Sequence, residues 1–171
     1  MKVYCLDTSG FSTPHVQMPE DVLVFRPVWN CVIATIESGI IGVTAEIYGE
    51  MCHITGDVGE CIRASKDKLV MEVDDPSWDG VSYIAHFNRM RKAHEDWIAD
   101  YTMKSPAKTI GLKDLTAVAL ARSLKLPLVS SESSAGDSHK HKRIPDICAL
   151  ENVVPYSFNE FLKVEGTRSS D

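Results

Sequence analysis

Lys2-Val3-Tyr4-Cys5-Leu6-Asp7-Thr8-Ser9-Gly10 opens the chain and decides its fold. Residues 2–6 are strand-formers with no turn signal among them, and the run stops at one carboxylate followed by two hydroxyls and a glycine. A strand, an acid at its end and turn residues next is how an α/β domain begins when its chemistry lies at the carboxyl edge of a parallel sheet. An acid directly after a buried apolar strand has no common structural duty, so Asp7 is the first candidate functional residue.

Outward from that strand, strand and helix alternate. Ser12 to Pro19 reads as a loop, because Pro14 and Pro19 interrupt regular structure around His15. Asp21 to Arg26 suits a short helix, and Pro27 suits the first turn of the next one, whose apolar residues Trp29, Val32, Ile33 and Ile36 recur at helical spacing before Gly39. Ile40, Ile41 and Val43 form a second strand, and Thr44 can cap a helix over residues 45–54. Gly56 to Lys66 continues as turn or helix, and Leu69 to Val73 as an irregular strand. A long helix is expected from Trp78 to Asp100, striped by Ile84, Phe87, Met90, Trp97 and Tyr101, then a loop from Lys104 to Lys108. Leu112 to Leu124 is an Ala-rich helix and Leu126 to Val129 a third strand. Ser130 to Lys142 is polar and low in complexity, which predicts a mobile loop. Pro145 to Leu150 reads as a helix, Val153-Val154 as a strand and Ser157 to Val164 as a helix. The class this predicts is three-layer α/β/α with a central, mostly parallel sheet. One domain is expected over residues 1–165, with 166–171 as a frayed tail.

Composition narrows the setting. Apolar residues make up 44% and charged residues 25%, which is ordinary for a soluble globular domain. The formal net charge of −6 means that any nucleic-acid affinity has to come from a local basic patch. The five cysteines (5, 31, 52, 61 and 148) are odd in number and contain no C-x-x-C, against a disulfide framework or structural zinc and in favour of a reducing compartment. No signal peptide and no apolar run of about 20 residues is present, so a cytoplasmic protein without a membrane partner is expected.

Four carboxylates occupy comparable places. Asp7 ends the first strand, Glu50 lies on the helix after the second, Asp114 is in the first turn of the Ala-rich helix, and Glu132 follows Leu128-Val129-Ser130-Ser131. Their positions bring them to one edge of a parallel sheet. Acids that converge repel unless a cation lies between them, and carboxylate oxygens suit Mg²⁺ or Mn²⁺. Glu46, one helical turn before Glu50, reads as a solvated face. Cys52-His53 reads as core and edge rather than a ligand pair.

At these positions the chain resembles the PIN-domain ribonucleases, a metal-dependent family common among the toxins of toxin–antitoxin pairs. Val3-Tyr4-Cys5-Leu6-Asp7-Thr8-Ser9 is similar to its first signature. Thr44 to Met51 resembles the second, which places the acid at Glu50. Gly111 to Ala119 resembles the third, and Val129-Ser130-Ser131-Glu132 the fourth, with serine for the usual threonine and glutamate for the commoner aspartate. Lys140 to Cys148, K-H-K-R-I-P-D-I-C, resembles a PIN-like subgroup of uncharacterised bacterial and archaeal proteins with V-T-x-E and I-P-D-x-C motifs. The resemblance implies a Mg²⁺- or Mn²⁺-dependent endoribonuclease in which water activated by the metal hydrolyses an RNA phosphodiester. Asp7, Glu50, Asp114 and Glu132 would hold one or two metals, and Thr8, Ser9 and Ser130 would orient carboxylates or water. Asp146 would support the site or contact RNA, or cap a helix. A cognate antitoxin and a homodimer are the further partners it implies.

The run His139-Lys140-His141-Lys142-Arg143 can hold phosphates flanking the scissile one, or act only as a solubilising loop. Arg89, Arg91 and Lys92 form a second basic stretch, read first as a solvated helix face. Two rivals use the same fold. In one, the departures at Ser130 and Glu132 mark a degenerate site that binds RNA or protein without cutting. In the other, Asp7 is a phosphoryl-accepting nucleophile, but Ser9 stands where that chemistry wants a second acid.

Overall fold

Tyr4, Cys5 and Leu6 are all enclosed, and this three-residue strand, β1 (Tyr4–Leu6), lies second in a four-stranded parallel sheet. The computed structural model describes residues 1–99 and 108–168. The sheet order is β2 (Ile41–Gly42), β1, β5 (Leu128–Val129) and β6 (Pro155–Tyr156). Cys5 is in register with Gly42 on one side and Leu128 on the other. Every neighbour is parallel, so the carboxyl ends of all four strands share one edge. Strands buried on both faces read as unbroken apolar runs, which is why they were legible as short clusters of Ile, Val and Leu.

Helices cover both faces, as the three-layer α/β/α expectation requires. α7 (Leu112–Leu124) packs on β1 and β5 and is flanked by α3 (Ala45–Met51), α6 (Gly80–Ala93) and α8 (Ile144–Leu150). Its small residues Ala117, Ala119 and Ala121 are fully enclosed, letting the helix approach the sheet and α6 closely. On the other side α1 (Ser9–Gln17), α2 (Arg26–Glu37), α4 (Gly56–Ala64) and α9 (Phe158–Arg168) pack together. An aromatic cluster joins them: Phe161 meets Tyr4 edge-on with centroids 5.2 Å apart, and Trp29 lies 5.7 Å from Phe158. All five cysteines are free thiols. Among the described residues no helix is long and apolar enough to cross a membrane.

Several expectations are corrected. Ser12 to Gln17 is helix, not loop: α1 starts two residues after Asp7 and runs through Pro14. An interior proline costs about 3 kcal/mol, and the burial of Phe11 and Pro14 offsets it. The short element near residue 23 is a 3₁₀ turn, Leu23–Phe25. Residues Lys66–Leu69 form one helical turn, α5, and only Val70 bridges to the sheet, at Val43.

The long helix ends at Ala93. Arg91 and Lys92 suit a last turn, whereas Glu95 and Asp96 would oppose the helix dipole if it continued. Trp97 therefore leaves the helix and leads into β3 (Ile98–Ala99), which pairs in parallel with β4 (Ile110–Gly111) as a second small sheet that the pattern did not announce. Tyr83 and Met90, rather than the exposed Ile84, carry the buried face of α6. Asp100, Tyr101 and the 104–107 loop lie outside the described residues. The last strand is β6, two residues later than Val153-Val154; Pro155 can open it because β6 is an edge strand. α9 continues to Arg168, so residues 166–168 are helical rather than a frayed tail, while 169–171 lie outside the described residues.

Candidate functional site

The carboxyl edge of β1 and β5 is where the predicted acids meet. Asp7 leaves β1 with its N–H bonded to the Val129 carbonyl at 3.0 Å, so its side chain is fixed by the sheet itself. The chain then turns straight into α1. Gly10 is required there, because a Cβ would lie 2.7 Å from Leu6 Cδ1 and 2.8 Å from the Val129 oxygen. Asp7 is only 2% exposed, and its Oδ2 accepts hydrogen bonds from the Ser9 N–H, the Ser9 hydroxyl and the Ser130 hydroxyl. Ser9 and Ser130 also contact each other at 3.1 Å, and Ser9 Oγ accepts from the Ser131 N–H. The serine at position 130 thus reaches the first acid directly.

Thr8 turns the other way and donates to Glu50 Oε2 at 2.7 Å. Glu50 rides on α3, which Thr44 caps by accepting from the Ile47 N–H. Thr44 also bonds Thr116 of α7 at 2.9 Å, so the helices bearing Glu50 and Asp114 are braced against each other. Asp114 Oδ2 accepts from the Gly111 N–H at 2.8 Å, closing the first turn of α7. Glu132 is held from two ends: its N–H donates to Ser130 Oγ, and its Oε2 accepts from the Ile144 N–H at the start of α8.

Electrostatics link these acids. Burial raises the Asp7 carboxyl above its ordinary value; the Ser9 hydroxyl pulls it down and the Glu132 charge pushes it up. Asp114 is pushed up to about 6, first by burial and then by the charges of Asp7, Glu132 and Glu50, against the pull of the Gly111 N–H. Glu50 behaves oppositely. Burial alone would raise it, but hydrogen bonds from Lys113 and Thr8 outweigh that and leave it lowered. Lys113 is the residue that sequence reasoning missed: its ammonium donates to Glu50 Oε1 at 2.9 Å. A lysine next to one of four convergent acids was the available signal.

The four acids share one edge and one field, yet they do not close into a cage. Among the described residues no group of three or more His, Cys, Asp or Glu side chains is drawn together to hold a metal ion. The reason is visible in their partners: Glu50 leans on Thr8 and Lys113, Asp114 on its own helix start, and Glu132 on α8. The donor set still fits a hard cation. Among the described residues the hydrogen bonds of Asp7, Asp114 and Glu132 each fall on a single oxygen, leaving the second as a hard donor. The charges of Asp7, Glu132 and Glu50, which add to burial in raising Asp114, are also what a divalent ion relieves.

Asp146 takes the capping role. It accepts from the Arg143 N–H at 2.8 Å, the Ala135 N–H at 3.0 Å and the Ser134 hydroxyl, tying the loop to the first turn of α8. Burial would raise its carboxyl, but these bonds hold it below its ordinary value. The loop expected to be mobile has no regular structure but is pinned at both ends. Its basic part is exposed at His139, Lys140, His141 and Arg143, with Lys142 half-buried. Arg89, itself exposed, joins His94 and Arg122 around the enclosed carboxylate of Glu151.

The class these features define is an α/β/α protein whose parallel sheet ends in an acid-lined edge. Within that class the chain belongs to the family described as Domain of unknown function (DUF4411), whose model matches residues 4–169. No curated protein matches the chain.

Proposed function

We propose that the protein is a Mg²⁺- or Mn²⁺-dependent endoribonuclease of PIN-like type, a cytoplasmic toxin of a toxin–antitoxin pair acting as a homodimer. The observation that carries this reading is the mutual influence of Asp7, Glu50, Asp114 and Glu132: burial first, and then the charges of the other three, raise Asp114 to about 6. Asp7, Asp114 and Glu132, with Glu50 once it leaves Lys113, would hold the cation. The chemistry such an ion supplies is activation of water for in-line attack and neutralisation of phosphoryl charge. Ser9 and Ser130 keep Asp7 in one rotamer, Thr8 orients Glu50, and the buried floor of β1 and β5 limits water beneath the acids. Lys113 stands beside the edge as a fixed positive charge for a phosphate oxygen.

The Lys113–Glu50 ion pair favours one alternative: a degenerate site in which lysine has taken over charge compensation and RNA or protein is bound without cleavage. The experiment is cleavage of total RNA by the purified protein with Mn²⁺. Wild type should cut and EDTA should stop it. Asp7→Asn, which keeps an acceptor for Ser9 and Ser130, should be folded and inactive. Undiminished cutting by Asp7→Asn, or cutting in EDTA, overturns the reading.

A further inference from the structure

A groove of about 390 Å³ lies between the last turn of α6, Ile98 of β3 and the start of α7. Arg91, Lys92 and Lys108 line it against the single carboxylate of Glu95. Ile98 and Leu112 form an apolar floor, and the exposed Asn88 brings an amide to its wall. Three cations around one groove are notable in a chain whose net charge is −6.

The basic loop joins this groove through Trp97. The Trp97 indole N–H donates to the His139 carbonyl at 3.1 Å, and the Lys142 ammonium lies 5.9 Å from the ring centroid. Thr109, one residue after Lys108, donates to the Lys142 carbonyl. Trp97 is itself stacked on His94, whose ring is held by the buried Glu151, so the bracket rests on the core. Two residues past Lys142, the Ile144 N–H bonds Glu132. These contacts connect the groove, through the loop that carries Lys140 and Lys142, to one of the four acids. Leu112 and Asp114 are two positions apart at the start of α7 and point to different sides of that helix, so the link from groove to acids runs through the loop.

We infer that this strip, from Arg91, Lys92 and Lys108 to Lys140 and Lys142, is a binding track for an unpaired RNA strand. Its cations would hold phosphates on one side of the scissile bond, and the apolar floor would carry bases. An acidic peptide would satisfy the charges, but it has no need of a track that leads to the acids. The inference rests on the nuclease reading only for the choice of RNA as the polyanion.

The test separates binding from cutting. Fluorescence anisotropy with a labelled single-stranded RNA of about 15 nucleotides, on the Asp7→Asn protein in EDTA, measures the track alone. Arg91→Glu/Lys92→Glu should weaken binding by about tenfold or more at low salt and reduce the salt slope by about one unit. Arg91→Gln/Lys92→Gln, gentler on the helix end, should do the same to a smaller extent, with circular dichroism unchanged. Wild-type affinity in both variants overturns the track, even where the wild type cuts RNA, and leaves the nuclease reading standing. RNA bound through these residues but never cut by the wild type supports the track and overturns the nuclease reading. A polyglutamate peptide that binds more tightly than RNA overturns the choice of partner.

Discussion

Lys113 donates from its ammonium to Oε1 of Glu50 at 2.9 Å, joining the start of α7 to α3 across the mouth of the acid cluster. Both side chains are more than a third exposed, so the pair contributes little to stability. Its weight is local: it supplies one positive charge to a site of four carboxylates, and it occupies an oxygen that a divalent cation would use. Replacing Lys113 with Met should therefore raise Mn²⁺ affinity, by roughly two- to tenfold after solvent screening. Isothermal calorimetry reads this directly. Weaker Mn²⁺ binding would show that Lys113 supports the ion rather than competing with it.

Asp114 gives the metal-free protein a pH dependence of definite sign. Its folded value of about 6 lies above its ordinary 3.8, so ionising it costs the fold. The penalty is absent below 3.8, grows as pH rises through 6 and is complete above that. Asp114→Asn keeps an acceptor for the Gly111 N–H and removes the charge. In EDTA it should be more stable than wild type by roughly 1–3 kcal/mol at neutral pH and equal to it near pH 4. Thermal melts at the two pH values decide it, and an unaltered difference between them would mean that Asp114 is not raised as described.

Glu151 is the charge at the centre of the α6–α7–α8 junction. Burial would raise its carboxyl, but Arg89 and His94 outweigh this and lower it. A lowered folded value means stability that is full above the ordinary carboxylate range and is lost as pH falls through the folded value. Glu151→Ala should cost roughly 2–4 kcal/mol, since the bonds of Arg89 and His94 are lost together. Urea unfolding at neutral pH measures the loss, and the deficit should shrink in acid.

Asp146 ties the loop to the first turn of α8. Asp146→Ala removes acceptors for Arg143, Ala135 and Ser134, at a cost of about 1–2 kcal/mol typical of a lost helix cap. Limited trypsin digestion should then cut faster at Lys140, Lys142 and Arg143. Unchanged digestion would place the restraint in Trp97 and Thr109 instead.

Much of the fold was readable because β1, β2 and β5 are enclosed on both faces. Such strands show as apolar clusters whatever surrounds them, and α7 shows as an unbroken Ala-rich repeat. Pro14 misled because a proline's local cost says nothing of the Phe11 burial that offsets it. Trp97 misled because its spacing matched a helix, whereas its position is set by His94, Lys142 and the His139 carbonyl, all distant in sequence or off the helix axis.

The amino-acid sequence by itself determined the alternation of strands and helices, the placing of Asp7 at the end of a buried strand, and the four acids as candidates. Each of those depends on local patterning, which hydrophobic periodicity and turn chemistry record. Only the tertiary structure decided what the acids do to one another, since the field at Asp114 depends on through-space distance. It likewise decided that Lys113 pairs with Glu50, that Asp146 accepts from the Arg143 N–H, that Glu151 bonds His94, and that Asp7 stands on Ser9 and Ser130. Side chains more than a hundred positions apart meet at one sheet edge because the strands are parallel, and no local pattern encodes which partner each will find there.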